Sequence, residues 1–160
     1  MIYTVKKNRH RATPLNLGIW KNKTLLKRSV TFLNNSIYPL QDGSIHKLFG
    51  IGFFWDLHRQ SARIGWRYEG SGIFKLFAYC YVDGKRIKKE ICNVPMNIPI
   101  NCSIQLKNNL YIFKIFYNSS PVSIVTVSYK HNKKWSFPLN LYYGGPNKAP
   151  NEIQVKIEKV

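Results

Sequence analysis

Acidic side chains are scarce in this 160-residue sequence: seven Asp and Glu stand against 25 Lys and Arg, leaving a formal charge of +18. The seven (Asp42, Asp56, Glu69, Asp83, Glu90, Glu152 and Glu158) are scattered, and none are spaced as partners in acid–base work. An enzyme built on paired carboxylates is therefore not expected. Cysteine is sparse too. Cys80, Cys92 and Cys102 are an odd number without Cys-x-x-Cys spacing and with apolar flanks, so they read as reduced, mostly buried thiols of a chain that folds in a cytoplasm. His10, His46, His58 and His131 stand alone, so no metal and no cofactor is expected. No apolar run approaches the ~20 residues that span a bilayer. The opening Met1-Ile2-Tyr3-Thr4-Val5-Lys6-Lys7 has no apolar stretch behind its charges, as a secretory signal would. Helical periodicity is absent as well, so almost no helix is expected.

What is present is β-forming material. Hydrophobic residues make up 44% of the chain and aromatics 14%, enough for a real core and too much for a disordered chain. Turn signals recur about every eight to twelve residues between short β-branched and aromatic segments. That rhythm predicts an all-β fold: a single-domain antiparallel β-sandwich, jelly-roll or concanavalin/lectin-like, of about 10–12 strands. The expected strands are Leu15–Trp20, Leu26–Phe32, Phe49–Trp55, Ala62–Tyr68, Ile73–Val82, Lys85–Cys92, Ser103–Lys107, Leu110–Tyr117, Val122–Tyr129, Phe137–Tyr143 and Ile153–Lys159. The last alternates so cleanly that it is expected to close a sheet.

Asp83-Gly84 between two strand-like runs suits a two-residue type I′ turn, in which both residues need positive φ. Pairing across it sets Val82 opposite Lys85, Tyr81 opposite Arg86, Cys80 opposite Ile87 and Tyr79 opposite Lys88. Alternation then gives Leu76, Ala78 and Cys80 to the core with Ile87 and Ile91, and gathers Phe77, Tyr79, Tyr81, Arg86 and Lys88 on the other face. Of these, Tyr79, Tyr81, Arg86 and Lys88 could form a platform for sugars or bases, or be ordinary cross-strand pairs or the inside of a two-sheet sandwich. The turn Glu69-Gly70-Ser71-Gly72 is long enough to hold a bulge, which leaves the register onto Arg63, Trp66 and Arg67 open.

The first 48 residues carry nine Lys and Arg against the single acid Asp42. Residues 1–14 read as a basic arm ahead of a sandwich over 15–160. Lys6, Lys7, Arg9, Arg11, Lys21, Lys23, Lys27 and Arg28 are the candidates for docking on an acidic partner surface. Asp56, His58 and Ser61 lie within six residues of one another, but they read as a polar loop. A catalytic triad converges from separate elements onto an oxyanion hole, and no Gly-x-Ser-x-Gly elbow is present. Gly70-Ser71-Gly72 and Gly144-Gly145-Pro146 are likewise turns, with no helix behind them to cradle phosphate.

Two segments resemble a known family. One is Gly52-Phe53-Phe54-Trp55-Asp56-Leu57-His58 through Ser61-Ala62-Arg63-Ile64-Gly65-Trp66-Arg67-Tyr68 and on to Phe77-Ala78-Tyr79-Cys80-Tyr81-Val82-Asp83-Gly84-Lys85-Arg86. The other is Leu141-Tyr142-Tyr143-Gly144-Gly145 through Ala149-Pro150-Asn151-Glu152-Ile153. Together they are similar to small proteins of phages of gut Bacteroidales, including the crAss-like phages. The resemblance implies a virion component with a lectin-like or jelly-roll-like sandwich and not an enzyme. With the charge, it sets the first expectation: an auxiliary (decoration or cement) capsid protein, multicopy in the virion, docking on the carboxylate-rich lattice of the major capsid protein. Two others stand beside it. One is a carbohydrate-binding module of a head fibre or tail, using Tyr79, Tyr81, Trp66 or Trp135. The other is a genome-facing protein that packs against nucleic acid.

Overall fold

Stretches in which β-branched and aromatic residues alternate with polar ones become strands in the structure, a computed structural model that describes residues 1–40, 43–53 and 57–160. Thirteen strands run through the described residues: β1 Ile2–Val5, β2 Ala12–Thr13, β3 Trp20–Lys21, β4 Leu25–Phe32, β5 His46–Phe53, β6 Gln60–Gly70, β7 Ile73–Val82, β8 Lys85–Pro95, β9 Ile100–Lys107, β10 Leu110–Tyr117, β11 Ser120–Ser128, β12 Trp135–Leu139 and β13 Ile153–Lys159. The only helical element described is a single 3₁₀ turn at Asn34–Ser36. The strands pair antiparallel into two sheets, ordered β11-β10-β9-β4-β13-β1-β2 and β3-β12-β5-β6-β7-β8. The chain is thus the all-β sandwich that the turn rhythm predicted.

The core lies between the sheets. Ala62, Ile64 and Trp66 of β6, with Phe74, Leu76, Ala78 and Cys80 of β7, face Val30 and Phe32 of β4 and Ile104 of β9. Phe32 and Phe74 stack with centroids 4.0 Å apart, and both tilt onto Trp66, so one aromatic cluster ties the two layers together. Cys80 and Cys102 are buried, Cys92 is half-buried, and all three are free thiols.

The β7–β8 hairpin has the expected register: Val82 opposes Lys85, Tyr81 Arg86, Cys80 Ile87 and Tyr79 Lys88. Asp83 (φ 50°) and Gly84 (φ 80°) supply the two left-handed turn residues. The bulge foreseen in the preceding turn falls between Tyr68 and Gly70 and settles the open register, with Arg63 opposite Tyr79, Trp66 opposite Leu76 and Arg67 opposite Lys75.

Three expectations need correction. Residues 1–14 are not an arm apart from the sandwich. Ile2–Val5 pairs along β13, Thr4 and Val5 pair with β2, and the Val5 and Ala12 side chains are fully buried. The basic run Lys6-Lys7-Asn8-Arg9 only makes the turn between them, closed by Arg9 N–H to Lys6 O (3.1 Å) and tied to Ala149 on both sides. Four apolar-alternating residues sufficed to claim the open edge of β13, whose backbone groups would otherwise go unpaired. For the same reason β13 lies inside its sheet, between β4 and β1, and does not close it. Finally, Leu15–Trp20 is mostly not strand. Asn140 replaces a ladder there, accepting from Asn16 N–H through Oδ1 (2.8 Å) and donating from Nδ2 to Asn16 O (3.0 Å), and only Trp20 joins β3. Phe54 and Trp55 of the expected Phe49–Trp55 strand, and Asp56, lie outside the described residues.

Candidate functional site

Because Ala62, Ile64, Leu76 and Ala78 point into the core, period-two alternation sends Arg63, Phe77, Tyr79 and Tyr81 to the outer face of the six-stranded sheet. Cross-strand rows result: Arg63, Tyr79 and Lys88 in one, and Ser61, Tyr81 and Arg86 in the next. Lys47 of β5 joins them. Its Nζ donates to Ile45 O (2.9 Å), lies 4.7 Å from the Tyr79 ring centroid and 5.9 Å from that of Tyr142. Tyr142 is fixed by two backbone hydrogen bonds with Lys47 (2.9 and 2.8 Å), and its ring stacks on His10 at 5.4 Å. Beside this lies Gly144. A Cβ there would collide with Lys47 Nζ and stand 2.9 Å from Ile45 O, so only glycine leaves the ammonium its seat.

Arg11, Lys47, Arg63, Tyr79, Tyr81 and Tyr142 line a groove of about 450 Å³, with His58 at its edge, meeting the Tyr81 ring edge-on at 5.0 Å. Burial pushes the Lys47 ammonium down to about 8, helped by repulsion from Arg63, Arg86 and Lys88. Burial also lowers Arg63, against the pull of Tyr79, Tyr81 and Tyr142, yet a guanidinium starts so high that it stays charged. The Arg63 Nε–H is buried with no hydrogen-bond partner among the described residues. The Tyr79 phenol is raised by burial and then by its hydrogen bond with Tyr81, while Arg86 opposes the rise. The ion pairs among the described residues are Met1–Glu158, Arg67–Glu69, Lys75–Glu90 and Lys156–Glu158, so none of them serves Arg11, Lys47, Arg63, Arg86 or Lys88. Partly desolvated cations without counter-ions among the described residues give the groove a chemistry suited to anions.

Tyr79, Tyr81, Arg86 and Lys88 therefore do share a face, and it is the outer face, not the inside of the sandwich. Tyr79 itself is only 5% exposed, packed with Ile45 and Phe77, which leaves Tyr81 and Tyr142 as the rings nearer solvent. The eight cations of the N-terminal third do not form one patch. Lys6, Lys7 and Arg9 are exposed in the β1–β2 turn, Arg11 lines the groove, and Lys21 sits over Trp135 at 5.6 Å. Lys23, Lys27 and Arg28 surround a separate cleft of about 400 Å³ with Trp20 and Lys159. Trp66 is fully buried and cannot meet a sugar, whereas Trp135 is 48% exposed. Ser61 is buried and its hydroxyl donates to Leu57 O (2.8 Å). Among the described residues no three His, Cys, Asp or Glu come together as metal ligands.

Sequence reasoning missed Lys47, Arg63 and Tyr142. Arg63 was within reach, because it stands directly opposite Tyr79 once the bulge at Tyr68–Gly70 is counted. Lys47 and Tyr142 meet across 95 residues of chain, and no local pattern marks them.

No family model and no curated protein sequence matches the chain. Solved structures do match its fold. The alginate lyase AlyC3 superposes with a TM-score of 0.63 at 11% identity, over 99% of this chain and 72% of that one, and has also been solved with dimannuronate. The alginate lyase of Klebsiella pneumoniae gives 0.61 at 10% identity over 85% of this chain, which spans 59% of that enzyme's length. A Saccharomyces cerevisiae protein of unknown function gives 0.54 at 6% identity, over 90% of this chain and 73% of that one. The likeness is one of fold. It corrects the expectation that the chain is not an enzyme. That expectation rested on missing carboxylate pairs and motifs and on the resemblance to phage proteins, and the sandwich found here is a scaffold on which alginate lyases are built.

Proposed function

We propose that the chain binds an acidic polysaccharide along the outer face of the six-stranded sheet and cleaves it by β-elimination. The observation that carries this reading is the composition of the groove: Arg11, Lys47 and Arg63 around Tyr79, Tyr81 and Tyr142, with Arg86 and Lys88 opposite Tyr81 and Tyr79 on the next strand, and none of the described ion pairs serving those cations. A polyuronate offers a carboxylate on every sugar and apolar ring faces for tyrosines, and the alginate lyases that share the fold support that substrate class. Arg63 binds the carboxylate of one sugar, and by neutralising it makes the proton on the adjoining carbon acidic. Lys47, whose amine loses its proton at about 8, takes that proton. The electron pair left behind forms a carbon–carbon double bond, and the glycosidic C–O bond on the next carbon breaks. Tyr79, a phenol that burial keeps protonated, gives its proton to the departing oxygen. No water and no co-reactant is consumed.

The test is to incubate the protein with polymannuronate and follow the ultraviolet absorbance of the unsaturated sugar ends. Arg63→Gln and Lys47→Met, checked for fold by circular dichroism, are expected to slow its appearance by about 100-fold or more. If wild-type protein neither binds nor cleaves polymannuronate, polyguluronate or pectate, the reading fails.

A second reading concerns where such an activity would act. Lys6, Lys7 and Arg9 in the β1–β2 turn, and Lys23, Lys27 and Arg28 around their own cleft, are positive charge that the groove does not use. With the resemblance to phage proteins, this supports a virion component docked through those cations on an acidic capsid lattice. Co-sedimentation with empty shells at low salt, lost when Lys6, Lys7 and Arg9 are all changed to Gln, is the expected result. Sedimentation with naked DNA alone would point instead to the genome.

A further inference from the structure

We propose that the polysaccharide this chain binds carries acyl esters, which the protein seats in an apolar cleft at one end of the groove. The inference rests on the acidic-polysaccharide reading above and adds the substituent. Leu17, Ile19, Trp135, Phe137 and Pro138 line a cleft of about 530 Å³ that has no ionisable side chain in its wall among the described residues. It is continuous with the cationic groove, since Leu17 and Pro138 line both. Leu17 is 82% exposed, Ile19 67% and Trp135 48%. Contiguous apolar exposure of this kind marks a binding surface rather than background on a soluble domain.

The cleft is also built, not merely left over. The Asn16–Asn140 amide pair pins the segment that carries Leu17 and Ile19. Trp135 is paired to Lys21 in the β3–β12 ladder, and the Lys21 ammonium covers its ring at 5.6 Å. A ligand lying across both regions is therefore sorted by chemistry. Its carboxylates belong at Arg63 and Lys47, and an uncharged group with a methyl end belongs against Trp135 and Ile19. A bare uronate ring would bring hydroxyls to a wall whose side chains offer them few hydrogen-bond partners, and those hydroxyls would pay for their desolvation. An O-acetyl ester replaces one such hydroxyl with a group that gains from the contact.

The test compares hexamannuronate with the same oligosaccharide after chemical O-acetylation, both titrated into the full chain by calorimetry. The acetylated form is expected to bind roughly three- to tenfold more tightly. Trp135→Ser and Ile19→Asn, at exposed positions where folding is undisturbed, are expected to erase that difference while the bare oligosaccharide binds as before. Arg63→Gln should weaken both forms. Equal affinity of the two forms for the wild type overturns this inference and leaves the acidic-polysaccharide reading standing. So does a Trp135→Ser variant that loses both forms alike, because the cleft would then be a stacking site for the sugar ring. Binding of neither form overturns both readings together.

Discussion

Lys47 concentrates the chemistry of the groove in one side chain, because its amine is half-buried, backed by a carbonyl and faced by two tyrosine rings. Its pKa of about 8 lies well below the 10.5 of a free lysine, so between those values the unfolded chain holds a proton that the folded chain has lost. Folding stability therefore rises with pH across that window. Catalysis should respond at the lower end. The elimination rate is expected to climb through about pH 8 and then level, while Lys47→Met gives a low, flat profile in the same ultraviolet assay. Gly144→Ala is the companion variant. The added methyl displaces the ammonium, which should cost about 1–3 kcal/mol in urea melts and move the pH profile, a shift that mere loss of packing would not produce. His131 acts with the same sign at lower pH, in stability alone. Burial and Lys133 hold it down to about 4, with its ring hydrogen-bonded to Tyr111 at 2.6 Å and tilted against Phe53 at 4.4 Å. The unfolded chain takes up this proton near pH 6.5 and the folded chain only near 4. The contribution is thus fully present above pH 6.5 and falls away as the pH drops between those values, by about 1 kcal/mol once solvent screening of a half-exposed ring is allowed for. His131→Phe should flatten that acid limb in a pH series of thermal melts.

Elements show where local pattern suffices and where it does not. The β7–β8 hairpin is legible residue by residue because Asp83-Gly84 fixes turn, register and faces together. The candidate face of Tyr79, Tyr81, Arg86 and Lys88 follows from that dipeptide alone. Two residues that complete the site do not. Lys47 arrives on β5 and Tyr142 through a long-range bridge, and which strand lies beside which is decided by core packing, not by any window of sequence. The N-terminus misleads in the opposite way. Six basic positions between Lys6 and Lys23 dominate its composition, yet the strand is made by Ile2, Tyr3 and Val5, whose alternation is too short to stand out. The correction is itself testable. A chain lacking residues 1–13 would be nearly as stable if those residues were an arm. With β1 seated between β13 and β2, it loses the buried Val5 and Ala12 and bares the edge of β13. A loss of at least ~3 kcal/mol in urea denaturation, or aggregation through the exposed edge, is expected.

The whole molecule carries +18 on 160 residues, and this charge acts on folding and binding with opposite sign. Within the folded chain the cations repel one another, and four ion pairs among the described residues offset little of it. Added salt screens that repulsion, because the Debye length shrinks from ~30 Å at about 0.01 M to ~8 Å at about 0.15 M. Thermal stability should therefore rise over that range, the reverse of what a protein held by surface ion pairs would show. Binding of a polyanion draws on the same field and should weaken over the same range, since the attraction between groove and carboxylates is screened in turn. Measured side by side, melting temperature and affinity for polymannuronate are expected to move in opposite directions with sodium chloride. Arg63→Gln should flatten the affinity trend far more than Lys6→Gln, because Arg63 lies in the groove and Lys6 in the β1–β2 turn. An equal effect from both would mean that the polyanion is held by net charge, and that the groove confers no selectivity.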